Sequence, residues 1–377
     1  MSTLGIYLHI PFCLAKCSYC AFVSKVCDAA VQDSYVAALC GEITAAGGDF
    51  SVPVDTVFFG GGTPTVLGAS KLAKILQTLR GSFRLTDDAE ISIEANPGTV
   101  DSASLEQLRQ AGFNRLSLGV QSFNDGVLHV IGRIHRAEAA AVAVTQARVA
   151  GFDNISLDLM YGLPLQTVGG WRETLERAVA LAPDHISAYG LKLEEGTPLA
   201  EAVAAGRISL PPEEDEETMY DWLNSYLPAQ GFARYEISNY AAVGRECRHN
   251  LKYWQYLPYR GFGVAAHSFD GRNRYANTED VAEYLGRLST GGSPEDFRET
   301  PDGPTTMAEF VFLALRTTGG LSEMEFAQKF DIFFSEYYAA PIRRLTQMRL
   351  LTQENHSWRL TELGMKLGNQ AFAEFLP

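Results

Sequence analysis

The sequence contains six cysteines, and three of them fall within eight residues near its start: Cys13, Cys17 and Cys20. The other three are scattered along the chain: Cys27, Cys40 and Cys247. Three thiols in one short loop are soft ligands for a metal. A structural zinc site needs four ligands, so Cys27 or His9 would have to complete it. The alternative is an iron–sulfur cube, in which three thiolates leave one of the four irons without a protein thiolate.

An iron without a protein thiolate has a specific chemical use. It can chelate the amino and carboxylate groups of S-adenosylmethionine, and an electron from the cluster can then cleave a carbon–sulfur bond and release an adenosyl radical. The cysteine trio directly follows a strand candidate at Gly5 to Ile10. If that strand belongs to a parallel sheet, the trio lies at the carboxyl mouth of the sheet, where the catalytic sites of such folds are found.

Six short apolar runs bounded by turn residues predict buried strands. They are Gly5 to Ile10, Val54 to Gly60, Glu90 to Ala95, Arg115 to Val120, Asn154 to Gly162 and His185 to Leu193. Segments with helical spacing lie between them, as at Ser70 to Arg80, Ser102 to Ala111 and Trp171 to Leu181. Strand and helix thus alternate six times, which predicts an α/β fold with parallel strands and right-handed crossovers. Periodicity alone leaves open an open doubly wound sheet or a barrel, complete or partial.

The pattern changes after Leu193. A helix is predicted over Thr218 to Leu227, and a linker rich in Gly, Pro, Ser and Thr over Ser289 to Pro304. Three more helices and a hairpin follow, which suggests a winged-helix-like appendage: Met307 to Arg316, Ser322 to Phe330, Ser335 to Leu351 and the hairpin over 351–360. We therefore expect three parts: 1–200, a connecting region at 201–290, and a C-terminal domain at 291–377.

Composition excludes several classes of protein and partner. The chain has 377 residues, with 31 basic against 45 acidic residues and a net charge of −14, which opposes approach to nucleic acid. No stretch approaches the roughly 20 apolar residues that span a bilayer, and no signal peptide precedes the first strand candidate. Six cysteines in a chain without an export signal do not predict disulfides. These observations predict a cytoplasmic protein.

Polar residues at the ends of the predicted strands are further candidates for a site. Gly60, Gly61 and Gly62 end the second strand, and their N–H groups can bind the methionyl end of the cofactor or simply form a tight turn. Another polar group ends each of the next three strands: Glu94, Gln121 and Asp158. Because a buried carboxylate needs a partner, these side chains are candidates to bind ribose hydroxyls and an amino group, or to link strand ends structurally.

Seven blocks of the sequence together resemble the radical S-adenosylmethionine proteins, in the branch that contains the oxygen-independent coproporphyrinogen III oxidases. The blocks are the loop at 7–20 and the segments 60–64, 94–97, 119–124, 158–164, 235–239 and 249–254. The resemblance spans most of residues 4 to 270. It implies a partial (β/α)6 TIM-type barrel with a smaller C-terminal α+β winged-helix-like domain. It also implies a 4Fe–4S cluster on Cys13, Cys17 and Cys20, and S-adenosylmethionine as cofactor.

The resemblance assigns further residues to the cofactor. Three match contacts of a first S-adenosylmethionine: Tyr7, Gly61 and Glu94. Tyr19 matches a position that meets the adenine. Five match contacts of a second S-adenosylmethionine in the oxidase: Gly62, Thr63, Gln121, Arg133 and Asp158. Whether this chain binds one molecule or two stays open, and Arg133 is equally interpreted as a solvated helix residue.

Two departures from the oxidases stand out. Phe22 occupies the position of a further oxidase cysteine, and the cluster loop begins almost at residue 1, without the oxidases' N-terminal extension. Both features resemble instead the HemW-like haem chaperones, which also have a His-Asn-x-x-Tyr-Trp block, present here at 249–254. The resemblance implies haem as cargo, recipient haemoproteins, respiratory ones among them, and a peripheral membrane contact.

The chemistry of the block suits haem. His249 is a candidate axial ligand with Cys247 as its rival, while Tyr253 and Trp254 offer flat apolar surface. Four basic residues are available for the propionates: Arg245, Arg248, Lys252 and Arg260. The alternative is that His249 is a structural hydrogen bonder and the aromatic residues are core.

Haem binding and delivery is therefore the leading hypothesis. A radical oxidative decarboxylase of coproporphyrinogen III is the alternative. Radical modification of RNA is a third, supported by the winged-helix candidate and opposed by the net charge of −14.

Overall fold

The computed structural model of the chain describes residues 3–48 and 52–377. Its strands are β1 Leu4–Ile10, β2 Val54–Gly61, β3 Leu85–Ala95, β4 Arg115–Gln121, β5 Ile155–Tyr161, β6 His185–Gly190, β7 Ala233–Arg234, β8 Asn239–Ala241, β9 Tyr259–Phe262, β10 His267–Phe269, β11 Arg274–Asn277, β12 Glu295–Glu299, β13 Leu321–Ser322, β14 Leu351–Glu354 and β15 Ser357–Leu360. A short 3-10 helix covers Pro64–Leu67.

The helices are α1 Ala29–Ala46, α2 Ala69–Ser82, α3 Ser102–Ala111, α4 Asp125–Val130, α5 Ala137–Val149, α6 Val168–Ala180, α7 Pro198–Ala204, α8 Glu213–Ala229, α9 Arg248–Trp254, α10 Val281–Ser289, α11 Gly303–Leu315, α12 Glu323–Phe330, α13 Phe334–Tyr337, α14 Ala339–Gln347, α15 Glu362–Lys366 and α16 Gly368–Ala373. Across the described residues, no helix is both long enough and apolar enough to cross a membrane.

Strands β1 to β6 lie side by side in sequence order, and each pairs with the next in parallel. Beyond β1 the sheet continues through β9, which is parallel to it, and then through the antiparallel strands β10 to β12. Beyond β6 it ends with the antiparallel strands β8 and β7. The predicted sixfold alternation of strand and helix is confirmed.

Side chains alternate between the two faces of these strands. In β4, Leu116, Leu118 and Val120 are fully buried and join one apolar core with residues of the crossover helices, such as Leu105 and Leu175. Arg115 and Ser117, on the other face of β4, line a single cavity together with side chains from all of the other five strands β1 to β6. One cavity can touch six consecutive strands only if the sheet curves around it. The structure is thus the partial barrel that the resemblance implied, and we call its six strands the arc.

Side-chain caps fix where several crossover helices begin. Asp28 accepts a hydrogen bond from the Val31 N–H at the start of α1, and Thr167 accepts one from Gly170 at the start of α6. Such caps satisfy N–H groups that have no partner inside the helix. They start each helix at the point where the chain leaves the mouth of the arc.

The C-terminal part has the order of a winged helix: α11, β13, α12, α14 and the hairpin β14–β15. Strand β15 pairs with both β13 and β14 in a small antiparallel sheet. The helices and this sheet enclose a second apolar core, which includes Phe326, Phe334 and Leu345. The predicted α+β winged-helix-like domain is confirmed.

The linker predicted over Ser289 to Pro304 is wrong in its central part. Strand β12 forms there and pairs with β11 at the edge of the large sheet. The pairing is non-local, so the Gly and Pro content of the segment did not reveal it. The proposed start of the C-terminal domain accordingly moves from residue 291 to α11.

Helix α9 lies against the polar inner face of the arc. The Glu90 carboxylate on β3 accepts hydrogen bonds from the N–H groups of Arg248 (3.1 Å) and His249 (3.2 Å) at the first turn of α9. The Cys247 thiol donates to the same carboxylate. A carboxylate at this end of a helix receives N–H groups that would otherwise be unpaired. Glu90 therefore holds α9 in place across the arc.

We expect Glu90→Gln to lower the free energy of unfolding by about 1–3 kcal/mol, because a neutral amide accepts these N–H groups more weakly and presents an unmatched NH2 to them. Urea unfolding followed by circular dichroism measures the loss. Glu106→Gln, on the exposed face of α3, is the control and should stay within about 0.5 kcal/mol of wild type. Equal unfolding midpoints for the two variants would contradict the role of Glu90.

Candidate functional site

The segment from Pro11 to Lys25, called here the cluster loop, leaves β1 and closes on itself. The Lys25 N–H donates to the Pro11 carbonyl at 2.8 Å, and the Cys13 N–H donates to the Lys25 carbonyl at 3.1 Å. From β1, His9 reaches the loop and its Nε2 donates to the Val23 carbonyl at 2.8 Å. These bonds hold the three cysteines at the carboxyl end of β1, as predicted from their position after the first strand.

The glycine motif at the end of β2 packs against the backbone of this loop. The Gly62 N–H donates to the Ile10 carbonyl at 2.8 Å, and the Thr63 N–H donates to the Phe12 carbonyl at 2.7 Å. A Cβ at Gly62 would lie 2.7 Å from the Phe12 oxygen, which leaves no room for a side chain. At Gly61, with φ of +107°, a Cβ would lie 2.7 Å from the His9 ring. The Gly62 N–H is therefore engaged by the loop and does not point at a cofactor, which corrects that detail of the interpretation.

The cysteine sulfurs receive hydrogen bonds from outside the loop. The Thr63 hydroxyl donates to Cys13 Sγ at 3.6 Å, and Arg133 Nη1 donates to Cys17 Sγ at 3.4 Å. Burial is the main cause that raises the pKa of the Cys20 thiol, to which the neighbouring Cys17 and Cys13 add. Hydrogen bonds to sulfur stabilise thiolates and tune iron–sulfur centres. Three partly exposed thiols, two of them with such donors, form a donor set that fits a cluster held by Cys13, Cys17 and Cys20.

The zinc alternative finds no fourth ligand in His9. Because His9 Nε2 donates to a carbonyl, its Nδ1 is the acceptor for the Tyr7 hydroxyl at 3.2 Å, so both ring nitrogens are engaged. Within 3–48 and 52–377, no group of three or more His, Cys, Asp or Glu side chains is arranged to hold a single metal ion.

Arg133 connects the cluster loop to the ends of β3 and β4. Its Nη2 donates to Asn96 Oδ1 at 2.5 Å and also contacts the Gly119 carbonyl, while Asn96 Nδ2 donates to the Thr63 hydroxyl at 2.9 Å. The interpretation of Arg133 as a solvated helix residue is wrong, since it lies between α4 and α5 with these partners.

Two other predicted residues lie close to this group. Gln121 ends β4 with φ of +65°, and its Nε2 lies 3.2 Å from where a Gly119 Cβ would be. Tyr19 lies near Cys17, Cys20 and Arg133, and burial is the main cause that raises the pKa of its hydroxyl. The mouth thus brings the cluster cysteines together with Thr63, Tyr19, Gln121 and Arg133.

Beneath the mouth, the inner face of the arc and α9 enclose a cavity of about 210 Å3. Four predicted residues line it: Tyr7, Glu94, Asp158 and His249. Seven other residues that line the cavity were not predicted to contact the cofactor: Phe58, Arg115, Ser117, Ser187, Tyr189, Asn250 and Tyr253. Alternation with aliphatic residues in Arg115–Val120 and His185–Ala188 is the signal that identifies three of them, Arg115, Ser117 and Ser187.

The two carboxyl groups of the cavity, Glu94 and Asp158, both have raised pKa values, which favours their protonated forms. Burial, followed by the nearby Asp158 carboxylate, raises the pKa of Glu94 from 4.5 to about 8. Burial also raises the pKa of Asp158, against hydrogen bonds from Ser187 and Ser117; the Ser117 hydroxyl lies 3.0 Å from its Oδ2. Two adjacent buried carboxyls resist carrying two charges at once. Such groups can bind hydroxyls or a cationic amino group. A bound amino group would lower the pKa of Glu94, because its positive charge stabilises the carboxylate.

His249 lies within this cavity and is not presented to solvent. It is 1% exposed, and its Nδ1 and Nε2 hydrogen-bond the hydroxyls of Thr56 (3.0 Å) and Tyr253 (2.8 Å). Burial, with the charges of Lys252 and Arg115, lowers its pKa to about 3. Its ring stacks on Phe58 at 5.4 Å. In this arrangement both ring nitrogens of His249 are engaged by hydroxyls, as the alternative of a structural hydrogen bonder expects, and ligation of haem by His249 stays a prediction.

The rival ligand and most of the expected propionate partners are also occupied. Cys247 is fully buried, and burial raises the pKa of its thiol to about 12. Lys252 forms a buried ion pair with Asp55 at 2.7 Å, and Arg248 pairs with Asp88 at 3.4 Å. Two other side chains were expected to meet propionates: Arg245, which lies 3.9 Å from Asp184, and Arg260, which packs over Phe262 and Tyr275.

Comparison with known proteins gives this geometry a family. Residues 7–178 match the model of the Radical SAM superfamily, and residues 302–367 match that of the HemN C-terminal domain. A protein of Bacillus subtilis named "Heme chaperone HemW" is 37% identical over 374 residues, which cover 98% of both chains. This chain belongs to the HemW family. The superfamily implies a 4Fe–4S cluster and S-adenosylmethionine, in agreement with the donor set of the cluster loop.

Two further comparisons, one with a sequence and one with a solved structure, show what else this chain is similar to. A Lactococcus lactis protein of the same name is 33% identical over 371 residues, which cover 98% of this chain and 96% of that one. Among solved structures, coproporphyrinogen III oxidase (HemN) from Escherichia coli, described as a radical SAM enzyme, matches with a TM-score of 0.87 and 26% identity. The match covers 99% of this chain and 90% of the oxidase. The expected resemblance to both groups is confirmed.

A pH-dependent stability follows from Glu94. Between pH 4.5 and about 8 the unfolded chain has Glu94 ionised while the folded, cofactor-free protein keeps it protonated. Its contribution to stability is therefore complete below pH 4.5 and is lost as the pH rises to 8, by at most about 1.4 kcal/mol per pH unit. We expect Glu94→Gln to gain on wild type steadily from pH 5 to pH 8 in urea unfolding. Parallel curves would contradict the raised pKa, and Glu106→Gln, whose side chain is exposed, should give parallel curves.

Proposed function

We propose that this chain binds haem and delivers it to haemoproteins, with a 4Fe–4S cluster on Cys13, Cys17 and Cys20 and with S-adenosylmethionine. The observation that carries the proposal is the 37% identity, over 98% of both chains, with a protein named as a haem chaperone. The hydrogen-bonded thiols of the cluster loop support the cluster ligands. When bound, a cluster of this kind supplies one-electron chemistry to S-adenosylmethionine.

The proposed cofactor contacts divide between two levels of the arc. Tyr7, Glu94 and Asp158 line the cavity, where their hydroxyl and carboxyl groups can orient hydroxyls and an amino group. The rest lie at or beside the mouth: Tyr19, Gly61, Gly62, Thr63, Gln121 and Arg133. The two levels follow the two sets of contacts that the resemblance assigned only in part, because Gly61 of the first set lies at the mouth and Asp158 of the second set lines the cavity.

Recipient haemoproteins, respiratory ones included, and a peripheral membrane contact are part of the proposal. An apolar and basic rim around the cluster loop supports the membrane contact. Leu14, Phe22 and Val26 are exposed there, beside Lys16 and Lys25. Residues 3–27 contain no acidic residue in a chain with a net charge of −14, so this rim suits an anionic surface.

His249 remains the proposed axial ligand only for a conformation in which α9 has separated from the arc. Tyr253 is the hydrogen-bond partner of Nε2, and the imidazole is buried, so haem must displace Tyr253 to reach it. Cys247 is the poorer ligand, because a thiol whose pKa is raised to about 12 stays protonated. Haem affinity is reduced by whatever free energy keeps α9 in place.

Haem titration of the anaerobically reconstituted protein tests this function. We expect one equivalent of haem to give a Soret band in wild type. Tyr253→Phe should bind haem several-fold more tightly, because the competing hydroxyl is removed, and His249→Ala should bind at least tenfold more weakly. The absence of stoichiometric binding in wild type would overturn the proposed function. If haem binding is unchanged in both variants, His249 is not the axial ligand, but the proposed haem binding still stands.

The structural match to the oxidase favours a second candidate, oxidative decarboxylation of coproporphyrinogen III. Phe22 stands where the oxidases have a further cysteine. We therefore expect no conversion of porphyrinogen by the reduced, cluster-loaded protein with S-adenosylmethionine, as followed by chromatography of the porphyrins. Conversion that consumes S-adenosylmethionine would establish the oxidase activity instead. Phe22→Cys, which restores the oxidase residue, is the matched variant for the same assay.

A further inference from the structure

Arg115 is a buried cation that forms no ion pair with the described residues. It begins β4 and is 2% exposed, yet it lines the cavity of the arc. In the described part of the chain its Nε has no hydrogen-bond partner. Glu90 and Asp158 influence it electrostatically but form no ion pair with it among the described residues. Burying a guanidinium is costly unless an anion and hydrogen bonds compensate it.

The surroundings of Arg115 define what that anion can be. The cavity of about 210 Å3 is smaller than the 300–1,000 Å3 typical of pockets for drug-sized ligands. The Asn250 amide also lines the cavity, whereas the Ser117 hydroxyl is already donated to Asp158. The rings of Tyr7, Phe58 and Tyr253 form an aromatic part of the wall. A small space with one cation at one end and aromatic faces along its side fits a short aliphatic stem that ends in an anion.

Charge distinguishes a carboxylate from a phosphate. Arg115 is the one guanidinium that lines the cavity among the described residues, and two carboxyl groups, Glu94 and Asp158, line it as well. A phosphate dianion would face both of these acids with a single compensating cation. A carboxylate carries one charge and matches the planar guanidinium in a two-pronged hydrogen bond.

We propose that the arc contains a carboxylate-binding subsite at Arg115, which takes an unbranched aliphatic carboxylic acid of about three to five carbons or the equivalent carboxylate arm of a larger molecule. Arg115 binds the carboxylate, the Asn250 amide assists it, and the stem lies against Phe58, Tyr7 and Tyr253. This subsite does not depend on haem binding, because nothing in it requires iron or the tetrapyrrole ring.

Calorimetric titration tests the subsite. The protein is first reconstituted anaerobically and loaded with S-adenosylmethionine. Valerate is the probe and valeramide its uncharged counterpart. We expect valerate to bind wild type and valeramide to bind at least tenfold more weakly. Arg115→Gln should weaken valerate binding at least tenfold, and Arg115→Lys should weaken it less. Arg109→Gln, which removes a guanidinium from α3 outside the cavity, should bind valerate as wild type does.

A second pair of probes identifies the source of the carboxylate. If the ligand is the arm of a larger molecule, haem should bind wild type more tightly than Arg115→Gln, and haem dimethyl ester, with both carboxylates blocked, should bind the two proteins alike. If Arg115→Gln fails to fold, Asn250→Asp replaces it, since a carboxylate placed in the cavity should exclude valerate. Equal binding of valerate and valeramide, or binding of valerate and haem that is the same with and without the Arg115 guanidinium, overturns the proposal.

Discussion

The contact between Glu90 and the first turn of α9 is the constraint on which the inner side of this protein depends. The crossover helices cover the outer face of the six-stranded arc, and its inner face carries polar side chains such as Glu94, Arg115 and Asp158. Glu90 on β3 binds the N–H groups of Arg248 and His249, 158 and 159 residues away in the sequence. Because α9 is held there, the inner face of the arc and α9 together line one cavity.

Enclosure by α9 explains the unusual ionisation of the groups inside. Burial raises the pKa of the acids Glu94 and Asp158 and lowers that of the bases His185 and His249, so each is driven toward its neutral form. Hydroxyl partners satisfy the neutral imidazoles, as Ser156 and Tyr235 do for His185. Arg115 differs from them, because a guanidinium cannot be neutralised by burial. A ligand with a negative charge therefore interacts most strongly at Arg115.

The order of strands and helices was predictable because each depends on local periodicity, and the blocks of sequence resemblance located the cluster loop. Contacts between distant segments were not predictable. His249 meets Thr56 across 193 residues, and Arg133 meets Cys17 across 116. The first contact turned an expected haem ligand into a buried hydrogen bonder, and the second turned an ambiguous arginine into a neighbour of the cysteines. Arg115 was within reach of sequence reasoning, since alternation in β4 places it on the same face as Ser117.

The two ends of β4 separate two kinds of chemistry. β4 begins at Arg115 and ends at Gln121, and at about 3.3 Å per residue these ends lie about 20 Å apart. Arg133 and the cluster loop are at the Gln121 end. A ligand whose carboxylate is held at Arg115 therefore directs its other end past Glu94 and Asp158 toward the mouth. The distance along β4 between Arg115 and the mouth is fixed by the strand. The length of the ligand's stem therefore determines how closely its far end approaches the cofactor residues.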